Sequence, residues 1–197
     1  MTRLALALTA AILLLAPAAQ AGWAHSHLSR AWGGGLSSLE VGQLEAEIDE
    51  ANPKTGDGYW SLLLLAIHRD AAGDVDGTCA LVARFDDVPR ARKDLRLKTL
   101  RAGCLLAAGD LDAAARLARA GAQAAAASEP VDFVGVLLRA HAIHANARLR
   151  LWKAKGDDES LRVRAEKAIA SWEEAARQHR KSADLIEAMA WKAEVSR

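Results

Sequence analysis

Apolar and polar positions follow one another along this chain with a helical beat, and the beat is interrupted by one short recurring motif. Ala72-Gly73-Asp74-Val75-Asp76 and Ala108-Gly109-Asp110-Leu111-Asp112 stand 36 residues apart, each where one helical pattern ends and the next begins. A looser copy, Ala154-Lys155-Gly156-Asp157-Asp158, marks a third junction of the same kind. Recurrence at this spacing points to stacked helix pairs, each too thin to hide its apolar side until a neighbour covers it.

The periodicity predicts each element in turn. Ser37-Ser38-Leu39-Glu40 offers a capping box, and Leu39, Leu44 and Ile48 then recur on one face of an opening helix that stops near Asn52-Pro53. A helix from about Tyr59 to Ala72 carries Leu62, Leu65 and Ala66, and Gly73 ends it in the left-handed conformation. Asp74 starts the next helix, to about Asp86, and Pro89 opens a third that reaches Ala108. An Ala-rich helix runs from Leu111 to about Ala127, with Ser128-Glu129-Pro130 as a cap whose Pro falls in the first turn of the following helix. That helix spans Val131 to Lys155, Gly156 closes it, and two more run from about Ser160 to Arg180 and from Ser182 onward. The expected architecture is all-α: one opening helix, three antiparallel hairpins and a terminal helix that covers the open end.

Composition agrees. The chain is rich in Ala, Leu, Arg and Glu and poor in aromatic residues and Pro, the balance that helices favour. Ala also lets neighbouring helices approach closely.

Residues 1–21 read as an export signal: Arg3 supplies the positive start, Leu4 to Ala16 the apolar run, and Ala19-Gln20-Ala21 the small-x-small cleavage pattern. The apolar run is broken at Pro17 and is shorter than the roughly 20 residues a membrane span needs. The chain after cleavage is expected to be periplasmic or secreted, with no membrane span. Residues 22–35, including His25, His27 and Gly33-Gly34-Gly35, lack periodicity and are expected to form a flexible leader before a helical domain at 36–197. Removing Arg3 with the signal leaves 25 basic against 25 acidic residues. With that balance, and with the signs interleaved along most helices, nucleic acid is not an expected partner.

The turns and the small residues around them resemble tetratricopeptide repeats. In the second unit Ala102, Gly109, Leu111 and Ala114 stand at that family's small, Gly, bulky and Ala positions, while Lys98 and Arg101 depart from it. In the first unit Ala66, Gly73 and Val75 fit and Thr78 departs. Residues 59–127 carry the resemblance; the third turn comes 47 residues after the second, longer than the family's repeat. The resemblance implies a groove lined by the first helix of each pair that accepts a peptide or a partner protein. It brings no catalytic residues and no cofactor.

Within that frame, Tyr59, Trp60, Leu63 and Ile67 are the expected receiving face, the alternative for Trp60 being packing against the opening helix. Trp172 is expected in the core, along with most of the Trp residues of the last third. Cys79 and Cys104, the only cysteines, fall on consecutive antiparallel helices and are expected to form a disulfide in an exported protein, the alternative being two buried thiols. His141 and His144 share a helix face, yet no Cys or carboxylate on neighbouring turns completes a metal site, so no metal is expected. No Gly-x-Ser-x-Gly, His-Glu-x-x-His or phosphate-cradling loop occurs, and the Asp-rich turns miss the calcium-loop spacing, so no enzyme is expected. Two functions follow from these residues: an exported interaction scaffold, or a structural subunit of a cell-envelope assembly that docks through its terminal helix around Met189 and Trp191.

Overall fold

A computed structural model describes residues 27–128, 133–156 and 158–196. The signal, the first residues of the leader and the Glu129-Pro130 part of the expected cap lie outside the described residues. Among those described there is no strand.

The helices begin where short polar side chains satisfy orphan amides. Helix α1 (Ser38–Glu47) has the full capping box: Ser37 Oγ accepts from the Glu40 amide at 3.3 Å and the Ser37 amide donates to the Glu40 carboxylate at 2.7 Å. Thr55 caps α2 (Gly56–Ala71), Asp74 caps α3 (Val75–Ala83), and Asp94 caps α4 (Leu95–Ala107). Asp110 caps α5 (Leu111–Ala126); α6 (Phe133–Lys155) follows. Asp158 caps α7 (Glu159–Gln178), and α8 (Ser182–Val195) ends the stack.

The two closest copies of the motif fold identically. Gly73 and Gly109 adopt φ of 79° and 83°, where a side chain would be strained. In both, the glycine amide donates to a carbonyl three residues back, and the following Asp amide to one five residues back. Asp74 and Asp110 then receive the Gly77 and Ala113 amides, as the cap reading of these residues requires. The third turn has Gly156 at φ 68° but places its cap one residue later, on Asp158.

Each helix packs on its neighbours in sequence, and three further contacts give the stack its shape. Helices α2 and α4, α4 and α6, and α6 and α8 also touch, whereas among the described residues no such contact joins α3, α5 and α7 to one another. The first helices of the pairs therefore form one continuous layer. The core follows that layer: Leu62–Ile67 and Phe85 fill one end and Ile169, Trp172 and Ala176 the other. The middle is built of Ala102, Ala118 and Ile143, with Ala114, Ala115 and Ala147 beside them, and the five alanines let α4, α5 and α6 approach closely.

Three expectations are corrected. Residues 27–32 of the leader are helical, with Leu28 and Ala31 fully buried, because these two and Trp32 form an apolar face too short to register as a period. The helix after Asp74 ends at Ala83, and Pro89 opens a 3-10 turn, Pro89–Arg92, instead of α4, which starts afresh at the Asp94 cap. Leu39 is 73% exposed, while Leu44 and Ile48 pack against the core as expected.

Candidate binding groove

The expected receiving face is closed. Tyr59 is 3% exposed and Leu63 and Ile67 are fully buried; only Trp60, half-buried, keeps surface for a partner. The physical reason lies in the run Leu62-Leu63-Leu64-Leu65-Ala66-Ile67, which is apolar on every side, and such a helix is packed on every side. The leader joins the same core through Leu28, Ala31 and Leu36, and Val41, Leu44 and Ile48 of the α1 region pack against it. Tyr59 is also pinned by chemistry: its hydroxyl donates to Asp94 at 2.9 Å and its ring meets Phe85 edge-on at 5.1 Å. Burial, and then the Asp94 charge, push the phenol above its usual range.

Open space lies further along the same layer. A cavity of about 360 Å³ is bounded by Ser29 and Trp32 of the leader, Asp70 at the end of α2, Leu138 and Arg139 on α6, and the start of α8 at Lys181, Asp184 and Glu187. One wall is locked by Arg139, which donates two hydrogen bonds to Asp70 at 2.7 and 2.6 Å and so ties α2 to α6 across 69 residues of chain. Trp172 also lines this cavity, and its indole nitrogen donates to Asp184 at 3.1 Å. Lys181 and Glu187 are exposed at the rim, so the opening carries both signs of charge, and its walls mix polar and apolar surface.

A second recess, of about 420 Å³, lies at the amino ends of α2, α4 and α6. There the Arg96 guanidinium lies 5.7 Å from the Trp60 ring and 4.9 Å from that of Phe133. Arg90 covers Tyr59 at 4.1 Å and donates to the carbonyls of Pro53 and Thr55, bracing the α1–α2 turn. Of the expected receiving residues, Trp60 and the edge of Tyr59 line this recess, and Arg96 and Phe133 are lining residues that sequence reading missed.

Cys79 on α3 and Cys104 on α4 form a disulfide, with Cα atoms 5.6 Å apart. No group of three or more His, Cys, Asp or Glu side chains suited to a metal ion occurs among the described residues. His141 and His144 are half-buried in α6, and the His141 Nδ1 has no hydrogen-bond partner. Burial, then the charges of Arg148, His141 and Arg119, hold His144 down to about 4. The unfolded chain takes up this proton near pH 6.5 and the folded one only near 4, so stability present at neutral pH is lost as pH falls through that window. Discounted for its partial exposure, His144 accounts for roughly 1–2 kcal/mol of that loss. Urea titrations at pH 7 and pH 4.5 are expected to show this difference, and His144→Gln to flatten it.

Compared with protein families, with curated proteins and with solved structures, the chain matches none.

Proposed function

We propose that this chain is an exported, tetratricopeptide-repeat-like scaffold that holds a peptide or a partner protein in the groove along its first-of-pair helices. The observation that carries this reading is the continuous layer made by α2, α4, α6 and α8 together with its present occupant. That surface already receives a short helix, residues 27–32 of the leader, and remains open beside it. Affinity would come from apolar burial over Val134, Leu138 and Ala142 of α6, and register from Lys181 and Glu187 at the rim. Export is supported by the disulfide and by the signal-like first 21 residues; no helix among the described residues is long and apolar enough to cross a membrane.

The structural-subunit reading has one observation in its favour: Ile186 is 69% and Met189 51% exposed on α8, with none of the described residues over them. The two readings separate in a cross-linking capture from the native cell envelope. With the charges of Lys181 and Glu187 exchanged (Lys181→Glu with Glu187→Lys), capture is expected to fall by roughly ten-fold or more while thermal stability is kept, since both side chains are exposed. Capture that survives the exchange but is lost in Ile186→Glu with Met189→Glu would replace the groove by the terminal helix.

A further inference from the structure

The leader sits in the groove as a ligand would. Leu28, Ala31 and Trp32 are spaced i, i+3 and i+4 and so share one helix face. Leu28 and Ala31 are fully buried, and Trp32 reaches from the core around α2 to the core around α6, α7 and α8. Its seat is made by Gly135 on α6: a Cβ there would lie 2.5 Å from the Trp32 Cγ. A side chain admitted at the cost of a bare patch on the opposing helix marks a shaped receptor for an indole.

The fit is nonetheless incomplete. Trp32 Nε1 is buried without a hydrogen-bond partner, which native cores rarely leave. The cavity of about 360 Å³ begins against Trp32 and Ser29, so the groove continues where the leader stops. The segment is joined to α1 by Gly33-Gly34-Gly35, with Gly34 at φ 68°. Its latch is solvent-facing: Arg30, 45% exposed, donates to Glu40 at 2.9 and 2.8 Å and to the Gly35 carbonyl at 2.9 Å. Exposed pairs of this kind hold weakly.

We infer that residues 27–32 are a displaceable internal occupant, and that the partner is a segment of like chemistry: an amphipathic helix with Leu, a small residue and Trp at i, i+3 and i+4. This rests on the groove reading above and names the partner for it. A partner helix that extends into the open cavity gains the Lys181 and Glu187 rim, and it can offer the buried indole position a hydrogen-bond acceptor. It would therefore outcompete a leader that does neither. The leader in turn lowers apparent affinity by the fraction of molecules in which it is docked.

The probe is a fluorescein-labelled peptide with the sequence of residues 25–36, titrated by anisotropy against the chain beginning at Gly22. Trp32→Ala, which loosens the internal copy, is expected to bind the peptide roughly ten-fold more tightly than the unaltered chain. A peptide with Leu28 and Trp32 both replaced by Ala is expected not to bind. No binding to Trp32→Ala, or equal binding to both chains, overturns the inference, as does a concentration-dependent dimer in which the leader is exchanged between copies. Should Trp32→Ala lose helicity, hydrogen exchange on the unaltered chain decides. Amides 28–32 are expected to exchange by local opening about a hundred-fold faster than those of α4, and equal protection overturns the proposal. Failure of the peptide with the Lys181 and Glu187 effect on capture intact would sink the leader's role and leave the groove standing.

Discussion

Trp172→Ala is expected to destabilise the fold by about 4 kcal/mol, the largest loss of any single substitution considered for this chain. Trp172 is 1% exposed and is the largest fully buried side chain among the described residues. The core cluster it belongs to mixes Ala168, Ala175, Ala176 and Ala188 with Val136, Leu138 and Ile169, all fixed on helices, so the walls can close only part of the space an indole leaves. The substitution also removes the hydrogen bond to Asp184 and the ring contact with Trp191 at 5.1 Å, both of which hold α8. A second tie remains, the Lys192 to Glu173 pair at 2.7 Å between α8 and α7. For a chain of this length, 4 kcal/mol corresponds to a melting temperature lower by roughly 8–16 °C, which circular dichroism reads directly. Because a stack couples mainly to nearest neighbours, α8 and α7 should lose exchange protection before α2 and α3 do. Uniform loss along the chain would mean that the helices fold as one closed bundle.

Local chemistry made the punctuation of this fold legible. Gly73, Gly109 and Gly156 close helices, and Ser37, Asp74 and Asp110 open them, because turn and cap geometry depends on residues within four positions. The Asp94 cap escaped because Pro89 five residues earlier supplied a stronger start signal, and that signal is answered by a single 3-10 turn. What could not be read was the side of a helix that meets the rest of the chain. Tyr59, Leu63 and Ile67 were reasonable groove residues only if nothing lay over α2, and the covering leader has a face of three residues, below what periodicity resolves. The Asp70–Arg139 pair that shapes the open cavity joins residues 69 apart, with no local trace in either segment. Contacts at that range come from how the helices pack on one another, which no window of a few residues encodes.

Opening the Cys79–Cys104 bridge is expected to lower stability by about 3 kcal/mol, equivalent to roughly 6–12 °C in melting temperature. The bridge closes a 25-residue loop, and most of its effect falls on the unfolded chain, which regains the freedom the cross-link removes. Its position adds a second consequence. Cys79 belongs to the first hairpin and Cys104 to the second, so the bond secures the junction between hairpins. Neither residue is fully buried, and a recess of about 190 Å³ bounded by Val75, Leu100 and Leu106 opens beside them, so a small reductant can reach the sulfurs. Denaturant curves with and without dithiothreitol should differ by about this amount, and Cys79→Ala with Cys104→Ala should match the reduced protein and ignore the reductant. If the hairpins hold one another mainly at their borders, loosening this border should also split one transition into two, with the leader, α1, α2 and α3 melting ahead of the rest. A midpoint that dithiothreitol does not move would mean that the folded chain holds two separate thiols.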